Sequence, residues 1–470
     1  MTSSTAAPTR FGRRESRGIL LGLTAAQLGV VAVALAVAVG AVYSSGAAGL
    51  VSASPAWGLL LAVGTVSVSD RPLVDWTPVA AEWCIRKALG RTTAALSTRG
   101  RNSHGVLVPG LARPIDLVDC PSAGAVLAID RAAGTVCAAL RVDGTGFLLT
   151  DGATQDHRVS AWGRVLAALC QQRDVVRVQV LVRTRPGGMS RPRAWWAEHC
   201  VQHGDAVTTE LTRLIDTSFV DPWVHEAFVA VSMKLARGSQ RGMSSTDVEA
   251  TATTLSNVEA ALEAAEIRSS GWLDREHLLD AIRASYEPGP SGRAEGAMTT
   301  SVATGVDEHW THLVTAEAVH ATYWIAEWPR SDVHPGFLQP MLLESAARRT
   351  FSLTAEPLPI AKALREIRRA KAEHAADAVQ RARLGQVESE VTRAEVAELA
   401  RREAELVAGH GDVRFTGLVS VSADDEPELA RRCAALETAA AQSLCDVRRL
   451  VGQQGAAHLA ACLPLARGVL

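Results

Sequence analysis

Residues 18–69 read GILLGLTAAQLGVVAVALAVAVGAVYSSGAAGLVSASPAWGLLLAVGTVSVS and contain no Asp, Glu, Lys or Arg. A helix crosses a hydrocarbon core of about 30 Å with roughly 20 apolar residues, so this stretch is long enough for two spans. We predict a transmembrane helical hairpin with spans at about residues 19–43 and 47–68, because an aromatic residue and several turn formers divide the apolar run. The residues that mark the two spans are Ile19, Tyr43, Ala47, Trp57 and Val68.

Positive charge flanks both ends of the apolar stretch, whereas the predicted turn carries no charge. The basic flanks are Arg13, Arg14 and Arg17 before the first span, and Arg71, Arg86 and Lys87 after the second. The positive-inside rule therefore predicts a multi-pass protein of the inner (cytoplasmic) membrane with both termini in the cytoplasm. The alternatives are a cleaved signal peptide, whose apolar core usually has about 7–15 residues, and a single buried or re-entrant segment.

The residues after the spans form an amphipathic stretch from Asp70 to Leu96, in which Trp76 and Trp83 alternate with charged residues. This pattern is typical of a helix at a membrane surface. An ordinary first helix of the following domain fits equally well, and the sequence leaves both possibilities open. A short basic linker follows.

Strand and helix patterns alternate from about residue 106 to residue 358. Hairpins and single strands are each followed by a helix, an order that is typical of an α+β fold with largely antiparallel sheets and packed helices. Predicted strands include residues 115–118, 125–129, 135–142, 147–150 and 175–184. Predicted helices include residues 154–171, 247–266 and 273–286.

The composition changes to Ala, Arg and Glu from Ile360 to Val407, which predicts a long helical pair broken at Gly385. A strand at residues 413–422 and a helix at residues 427–445 follow. The sequence thus predicts a basic cytoplasmic N-terminus (1–17), two transmembrane helices (18–69), an amphipathic and basic linker (70–103), an α+β cytoplasmic domain (104–358), a helical pair (359–408) and a strand–helix segment that completes the α+β domain (409–470).

The overall composition excludes several classes of protein. The 470 residues include 48 basic and 50 acidic side chains, and a net charge of −2 gives no general attraction to nucleic acid or anionic lipid. Apolar residues make up 47% of the chain, which argues against intrinsic disorder. The eight cysteines form no C-x-x-C pair, which argues against a zinc ribbon and a disulfide scaffold.

No catalytic motif is found in the sequence. A Walker A loop requires G-x-x-x-x-G-K-[ST], but none of the four lysines follows a glycine. No G-x-S-x-G elbow occurs, and no pair of carboxylates is indicated for general acid–base work. We therefore predict no catalytic residue, no cofactor and no enzymatic activity.

Histidines supply the candidates for a metal site. His199 and His203 stand four residues apart on a predicted helix, so both imidazoles can face one ion, but the sequence gives no third ligand and no metal site is predicted. His309, His312 and His320 bracket a predicted hairpin. They are either a cluster or solvated strand residues, and the second interpretation is favoured.

Nucleic acid is expected only as an indirect partner. Arginine next to an aromatic side chain can stack on bases. The candidate groups are Arg99, Arg101 and Arg113; Arg183, Arg185, Arg191 and Arg193 beside Trp195 and Trp196; and Arg365, Arg368 and Arg369. Because acidic residues outnumber basic ones over the whole chain, solvated charge and contact with lipid headgroups are favoured for these groups.

The order of elements resembles known proteins of conjugation systems. Two spans followed by RPLVDW (residues 71–76) resemble the small PrgI-type inner-membrane subunit. Residues 146–170, and then residues 178–186, which end in Arg-Thr-Arg-Pro, resemble the N-terminal, non-ATPase domain of the type IV secretion motor ATPases. Residues 321–329 and 463–468 are similar to later parts of that domain.

The resemblance covers about residues 70–470. The motor half of the family is absent from this sequence, in agreement with the missing Walker lysine. Chains of this kind are similar to proteins of actinobacterial conjugation clusters, and the resemblance implies that another polypeptide supplies the motor ATPase. The expected function is that of a non-enzymatic inner-membrane subunit of a conjugation or type IV-like secretion machine, which anchors and docks this ATPase at the cytoplasmic face.

The expected partners are the motor ATPase in trans, other membrane subunits of the machine, the lipid bilayer and a second copy of the chain. Three alternatives remain open. They are an EccE-like membrane subunit of type VII secretion, a membrane-tethered metal-dependent enzyme and a DNA-handling tether.

Overall fold

The computed structural model describes residues 24–68, 71–95, 105–111, 113–144, 146–187, 190–200, 206–217, 223–236, 242–288, 305–329, 331, 333–343, 347–383 and 390–468. These residues fall into two compact units, an N-terminal unit (24–92) and a sheet unit (93–468).

The N-terminal unit is mainly helical. Its elements are α1 (Ala25–Ser52), α2 (Ser54–Thr65), β1 (Ser67–Val68), β2 (Arg71–Pro72) and α3 (Leu73–Ala88). Thr24 caps α1 through a capping box with Gln27, which satisfies the free N–H groups of the first turn. Ser45 and Gly46 depart from helical geometry inside α1, with φ of Gly46 at +61°.

The non-helical residues Ser45 and Gly46 fall where the sequence predicts the turn between the spans, but the limits of the helices differ from those of the predicted spans. α1 continues past the predicted turn to Ser52, and α2 begins at Ser54 because Pro55 is tolerated in the first turn of a helix but not in its interior. Among the described residues, one helix is long and apolar enough to cross a membrane, Ala26–Ser52, with a mean hydropathy of 2.1. With 12 residues, α2 is shorter than the roughly 20 residues that one span requires.

The sheet unit combines strands and helices. Its strands are β3 (Thr93–Ala95), β4 (Gly105–Val106), β5 (Ile115–Cys120), β6 (Ala125–Asp130), β7 (Thr135–Val142), β8 (Val175–Pro186), β9 (Trp223–Lys234), β10 (Ser269–Trp272), β11 (Gly305–Glu308), β12 (Leu313–Thr315), β13 (Val319–Glu327), β14 (Arg348–Leu358), β15 (Asp412–Ala423) and β16 (Asp446–Arg449). Its helices are α4 (Gly152–Gln171), α5 (Ser190–His199), α6 (Ala206–Thr217), α7 (Ser245–Ala264), α8 (Arg275–Tyr286), α9 (Gln339–Leu343), α10 (Ile360–Arg383), α11 (Glu390–Val407), α12 (Glu426–Gln442) and α13 (Gln454–Cys462).

In the described residues, these fourteen strands form one sheet in the order β3-β11-β12-β13-β15-β14-β8-β9-β7-β6-β5-β4, with β10 on β7 and β16 on β13. Each of these pairings is antiparallel. The predicted α+β class with antiparallel sheets is therefore confirmed. β15, which comes after α10 and α11 in the chain, lies between β13 and β14, so residues from both sides of the helical pair share one sheet.

Helices cover both faces of the sheet. α4 and α7 pack on one face over a core that includes Leu140, Leu169 and Leu255, and α12 packs further along over a core that includes Tyr323 and Val421. α8, α13 and the residues after α13 cover the opposite face. This opposite face carries the polar side chains considered below.

Residues 147–150 are not the predicted strand. They form a short 3₁₀ helix, Phe147–Leu149, which begins after Gly146 at φ +64°. The apolar run that suggested a strand does not pack as one, because the side chain of Leu149 is 93% exposed. The segment instead turns the chain from β7 into α4.

Candidate functional site

A buried polar layer lies on the face of the sheet that α13 covers. Side chains on paired strands share this face when their residues are in register, as for Thr350 with Arg183 and Ser422 with His320. The polar layer consists of the buried residues Gln179, Arg183, His320, Thr322, Thr350, Ser352, Thr354, Ser420 and Ser422 of the sheet, and Gln454 and His458 of α13.

Two glutamines of the polar layer fasten the C-terminal segment to the sheet. Gln179 Nε2 donates to the carbonyl oxygen of Ala460 at 3.0 Å, and its Oε1 accepts from the backbone N–H of Ala466 at 2.8 Å. The amide of Gln454 makes both hydrogen bonds to the backbone of Thr322, at 2.9 and 3.3 Å. Because buried polar groups need partners, these amides fix the position of α13.

Arg183 is 2% exposed and joins three elements of the fold. Its Nη2 donates to Ser285 Oγ at 2.8 Å and to the carbonyl oxygen of Cys462 at 2.9 Å. Its Nη1 lies 3.8 Å from Glu226 Oε2, and Glu226 also pairs with Arg185 at 2.8 Å and with Arg141 at 3.8 Å. Burial raises the pKa of Glu226, but the hydrogen bond from Arg185 and the three positive charges outweigh burial, so the pKa lies below its ordinary value.

The predicted arginine group at residues 183–193 is therefore not available as a whole to stack on bases. Arg183 is buried, and Arg185 is held by Glu226. The side chains of Arg191 and Arg193, and the residues Arg99 and Arg101, lie outside the part of the chain that the structure describes. Trp195 is exposed, whereas Trp196 donates a hydrogen bond from its indole to Thr212 Oγ1.

The three histidines of the predicted hairpin separate. His309 and His312 stack with ring centroids 4.5 Å apart, whereas His320 is buried in the polar layer. The interpretation of all three as solvated strand residues is thus wrong for His320. Its Nδ1 lies 2.8 Å from Ser422 Oγ, and its ring lies 4.6 Å from that of His458.

Burial keeps this histidine pair neutral. It lowers the pKa of His320 to about 4, and burial together with the neighbouring His320 lowers the pKa of His458 well below its ordinary value. Burial also raises the pKa of Tyr286, whose ring lies 5.1 Å from that of His458. The cluster is closed to solvent and uncharged at neutral pH, and the ring of His458 on α13 packs between those of His320 and Tyr286.

The structure describes only one member of the candidate metal pair. His199 lies on α5, stacks on Trp195 at 4.7 Å between ring centroids and has its Nδ1 3.0 Å from the carbonyl oxygen of Trp195. His203 lies outside the described residues. Within the described residues, no group of three or more His, Cys, Asp or Glu side chains is placed to hold a metal ion.

The predicted membrane residues are distributed over the N-terminal unit. Tyr43 and Ala47 lie in α1 on either side of the non-helical residues, Trp57 lies in α2, Val68 in β1 and Arg71 in β2. The Trp57 indole donates to the carbonyl oxygen of Leu50 at 3.2 Å. Arg86 lies 3.9 Å from Glu82 on α3, and the ammonium group of Lys87 lies 4.7 Å from the ring centroid of Trp83. Ile19, Arg13, Arg14 and Arg17 lie outside the described residues.

α10 and α11 form a pair that we name the helical arm. At its base, Ala363, Ile367 and Leu406 are buried with Leu358 at the end of β14. Contacts between the described residues of the two helices include an ion pair of Lys371 with Glu403 and a 3.8 Å approach of His374 to Glu395. None of the side chains described in residues 372–383 and 390–400 is buried. At 1.5 Å per residue, α10 continues for about 24 Å beyond its buried base.

The surface of the helical arm is charged, with apolar residues among the charges. α10 carries seven basic and three acidic residues, and the exposed side chains of Lys362, Arg365, Arg368 and Arg369 lie in its first half. In the outer part of the arm, Val379 is 55% exposed and Val396 is 39% exposed. The arginine group at residues 365–369 is thus accessible, unlike the group at residues 183–185.

The polar side chains of α13 are not indicated by sequence pattern. Residues 454–462 read QGAAHLAAC, and their apolar residues show no helical period because the helix is buried almost all round. The available signal is that Gln454 and His458 stand four residues apart in an otherwise apolar run.

No protein-family model matches the chain, and a comparison with curated proteins gives no match either.

Proposed function

We propose that this chain is a non-enzymatic membrane subunit of a conjugation or type IV-like secretion machine. In this proposal the N-terminal unit inserts into the inner membrane, and the helical arm of the sheet unit docks a motor ATPase that another polypeptide supplies. The observation that carries the proposal is the helical arm, whose outer part has no buried side chain among those described.

The helical arm supports a docking role for an energetic reason. Helices in water are marginal without the packing of an apolar face, and the apolar residues that this arm buries, among those described, lie at its base. Val379 and Val396 lie exposed beyond that base. A partner that covers them would add the packing that the arm lacks, and the missing Walker lysine supports a partner that brings its own ATPase activity.

We further propose that both arms of the N-terminal hairpin cross the membrane. Gln27 Nε2 donates to the carbonyl oxygen of Gly64 at 3.0 Å, which supports an antiparallel arrangement of residues 25–44 and 47–65 around the non-helical residues Ser45 and Gly46. Each of these stretches has about the length that one span needs. The basic residues at both flanks support cytoplasmic termini, and Trp76, Trp83 and Lys87 of α3 suit a membrane surface.

Reporter fusions to the full chain test this topology. The proposal predicts an active external reporter, such as alkaline phosphatase, after Ser45, and an active cytoplasmic reporter, such as a fluorescent protein, after residue 470. A single span would place the C-terminal reporter outside. The reporter after Ser45 would then lie either outside as well or in the cytoplasm. A cleaved signal sequence would leave a shortened chain outside the membrane, and either result contradicts the two-pass proposal.

Purification of the tagged full chain from its native membranes in mild detergent tests the docking role. We expect a polypeptide with a Walker A motif to co-purify and to hydrolyse ATP, and we expect its amount to fall at least about tenfold when residues 372–400 are replaced by a short Gly/Ser linker. The variant chain should remain in the membrane, since the replaced residues lie outside the sheet. ATP turnover by the purified chain alone, or equal recovery of the ATPase with both chains, would contradict the proposal.

The same co-purification experiment distinguishes the EccE-like alternative from the first proposal. A type VII machine would bring other membrane partners and its own class of ATPase, which mass spectrometry identifies. No contact in the described residues favours this alternative over the first proposal.

A further inference from the structure

An open cavity of about 380 Å³ lies on the sheet unit beside α4. Its apolar wall consists of Val142, Phe147, Val159, Trp162, Ala227 and Ile267. This volume is at the lower end of the roughly 300–1,000 Å³ found for ligand pockets, so it suits one or two side chains rather than a large cofactor.

Arg158 brings to this cavity a positive charge that has no acidic partner among the described residues. Its Nε and Nη1 atoms are buried, and neither makes a hydrogen bond within the described residues. A buried N–H group without an acceptor is costly, and a guanidinium group is particularly well matched to a carboxylate. Arg158 also lines the cavity, which therefore combines aromatic walls with a guanidinium group that is not neutralised by a described carboxylate.

The two acidic residues that line the cavity are engaged elsewhere. Ser270 Oγ donates to both carboxylate oxygens of Asp143, at 2.8 and 2.9 Å. Glu266 Oε1 lies 3.9 Å from His157 Nε2. Neither carboxylate forms an ion pair with Arg158 among the described residues, and their negative charge at the rim disfavours a multiply charged ligand such as a phosphate.

Hydrogen bonds hold the aromatic wall in position before any ligand binds. The buried side chain of Gln155 donates from Nε2 to the carbonyl oxygens of Phe147 and Thr150, at 3.2 and 3.1 Å. These bonds fix the 3₁₀ turn that carries Phe147. Trp162 packs against the core under α4. A cavity arranged in this way loses little conformational freedom on binding.

We propose that this cavity binds a short acidic and aromatic segment of a partner protein, with the aromatic ring against Phe147 and Trp162 and a neighbouring carboxylate on Arg158. The site is separate from the helical arm, and it goes beyond the proposed function because it does not depend on which protein the arm docks. The cavity is open to the surface, which suits a segment of a larger chain.

Binding of three peptides to the full chain in detergent tests the site by ligand-observed NMR. The probes are Ac-Gly-Phe-Asp-Gly-NH₂, its neutral counterpart Ac-Gly-Phe-Asn-Gly-NH₂ and Ac-Gly-Ala-Asp-Gly-NH₂. We expect a dissociation constant on the order of millimolar for the first peptide. The other two peptides should bind about tenfold more weakly, because each lacks one of the two contacts.

Two matched variants assign the preference to Arg158. In Arg158→Gln the Phe-Asp and Phe-Asn peptides should bind equally, whereas Arg164→Gln, which changes an exposed arginine of the same helix, should keep the preference. Equal binding of the three peptides to the unchanged chain would overturn the proposal without reference to any variant. A preference that survives in Arg158→Gln, or is lost in Arg164→Gln, would also overturn it.

Discussion

The side chain of Gln27 donates a hydrogen bond to the backbone carbonyl oxygen of Gly64 at 3.0 Å, so the start of α1 lies beside the end of α2. The amide oxygen of Gln27 accepts from the backbone N–H of Thr24 at 2.9 Å, and the amide group is therefore satisfied at both ends. In an apolar environment an unpartnered amide is expensive. This single polar side chain accordingly links the two ends of the apolar stretch.

Gly64 should be a position that tolerates no side chain. A Cβ atom at Gly64 would lie 2.9 Å from Val31 Cγ2, and valine has little rotamer freedom in a helix with which to move away. We expect Gly64→Leu to separate α2 from α1 and to accelerate amide hydrogen exchange in residues 54–65 by about tenfold, since overpacking costs roughly 1–3 kcal/mol. Hydrogen–deuterium exchange of the full chain in detergent measures this effect.

Gly58→Leu is the matched control for this substitution. A Cβ atom at Gly58 has no neighbour within 4 Å, although Gly58 lies on the same helix. Exchange in residues 54–65 should stay close to that of the unchanged chain. Equal protection in the two variants would show that the close approach of the helices at Gly64 does not stabilise the hairpin.

Glu226 should be required for the stability of the sheet unit. Glu226 is the carboxylate that faces buried Arg183, and Arg141 and Arg185 share it. Glu226→Gln leaves the buried guanidinium group without a compensating charge, and we expect a loss of about 3 kcal/mol in the free energy of unfolding. Urea unfolding followed by tryptophan fluorescence gives this value.

An exposed glutamate provides the comparison for Glu226. Glu210 pairs with Arg213 on the surface of α6, where both side chains are more than half exposed. Exposed pairs contribute little to stability, so Glu210→Gln should leave the unfolding midpoint almost unchanged. Equal midpoints for the Glu226 and Glu210 variants would mean that the buried arginine needs no counter-charge.

Acid should weaken the sheet unit through His320. Burial lowers the pKa of His320 to about 4 from its ordinary value of 6.5, so the unfolded chain binds a proton that the folded chain excludes between these pH values. The stability that this group contributes is fully present above pH 6.5 and is lost as the pH falls toward 4. At pH 5 the loss amounts to about 2 kcal/mol.

The difference in unfolding free energy between pH 7 and pH 5 isolates this effect. His320→Asn removes the titrating group, and we expect the pH 7 to pH 5 difference to shrink by about 2 kcal/mol relative to the unchanged chain. His277→Asn, which changes a histidine whose side chain is 59% exposed, should keep the full difference. An unchanged difference in the His320 variant would mean that the buried imidazole is not excluded from protonation.

Strong periodic patterns predicted much of the fold. The strand at residues 135–142 has the predicted limits, and α4 extends the predicted helix by two residues at its start. In these two segments the apolar residues recur with the period of a strand or of a helix, because one face of each element packs on the apolar core. β14 was not predicted. Its apolar residues Phe351 and Leu353 alternate with polar ones, but Arg349 and Pro357 flank them and are unusual in the middle of a sheet.

The candidate sites were less predictable than the fold. The helical pair was predicted from its composition, because exposed helices keep a visible polar face. Gln454 and His458 cannot be predicted from a pattern, since a helix buried almost all round shows no helical period of apolar residues. The cavity at Arg158 is not predictable either, because Phe147 lies in a segment with a strand-like apolar pattern, and its pairing in space with Trp162 depends on the turn after Gly146.

The most direct test of the docking role is the affinity of the co-purified ATPase for the full chain in detergent. Val379→Asp with Val396→Asp changes two exposed residues of the helical arm, and we expect the dissociation constant to rise at least about tenfold, because a buried charge at an interface is costly. Val207→Asp on α6, also exposed, is the control and should bind as the unchanged chain does. The same dissociation constant for the arm variant and the control would contradict the claim that the helical arm holds the motor.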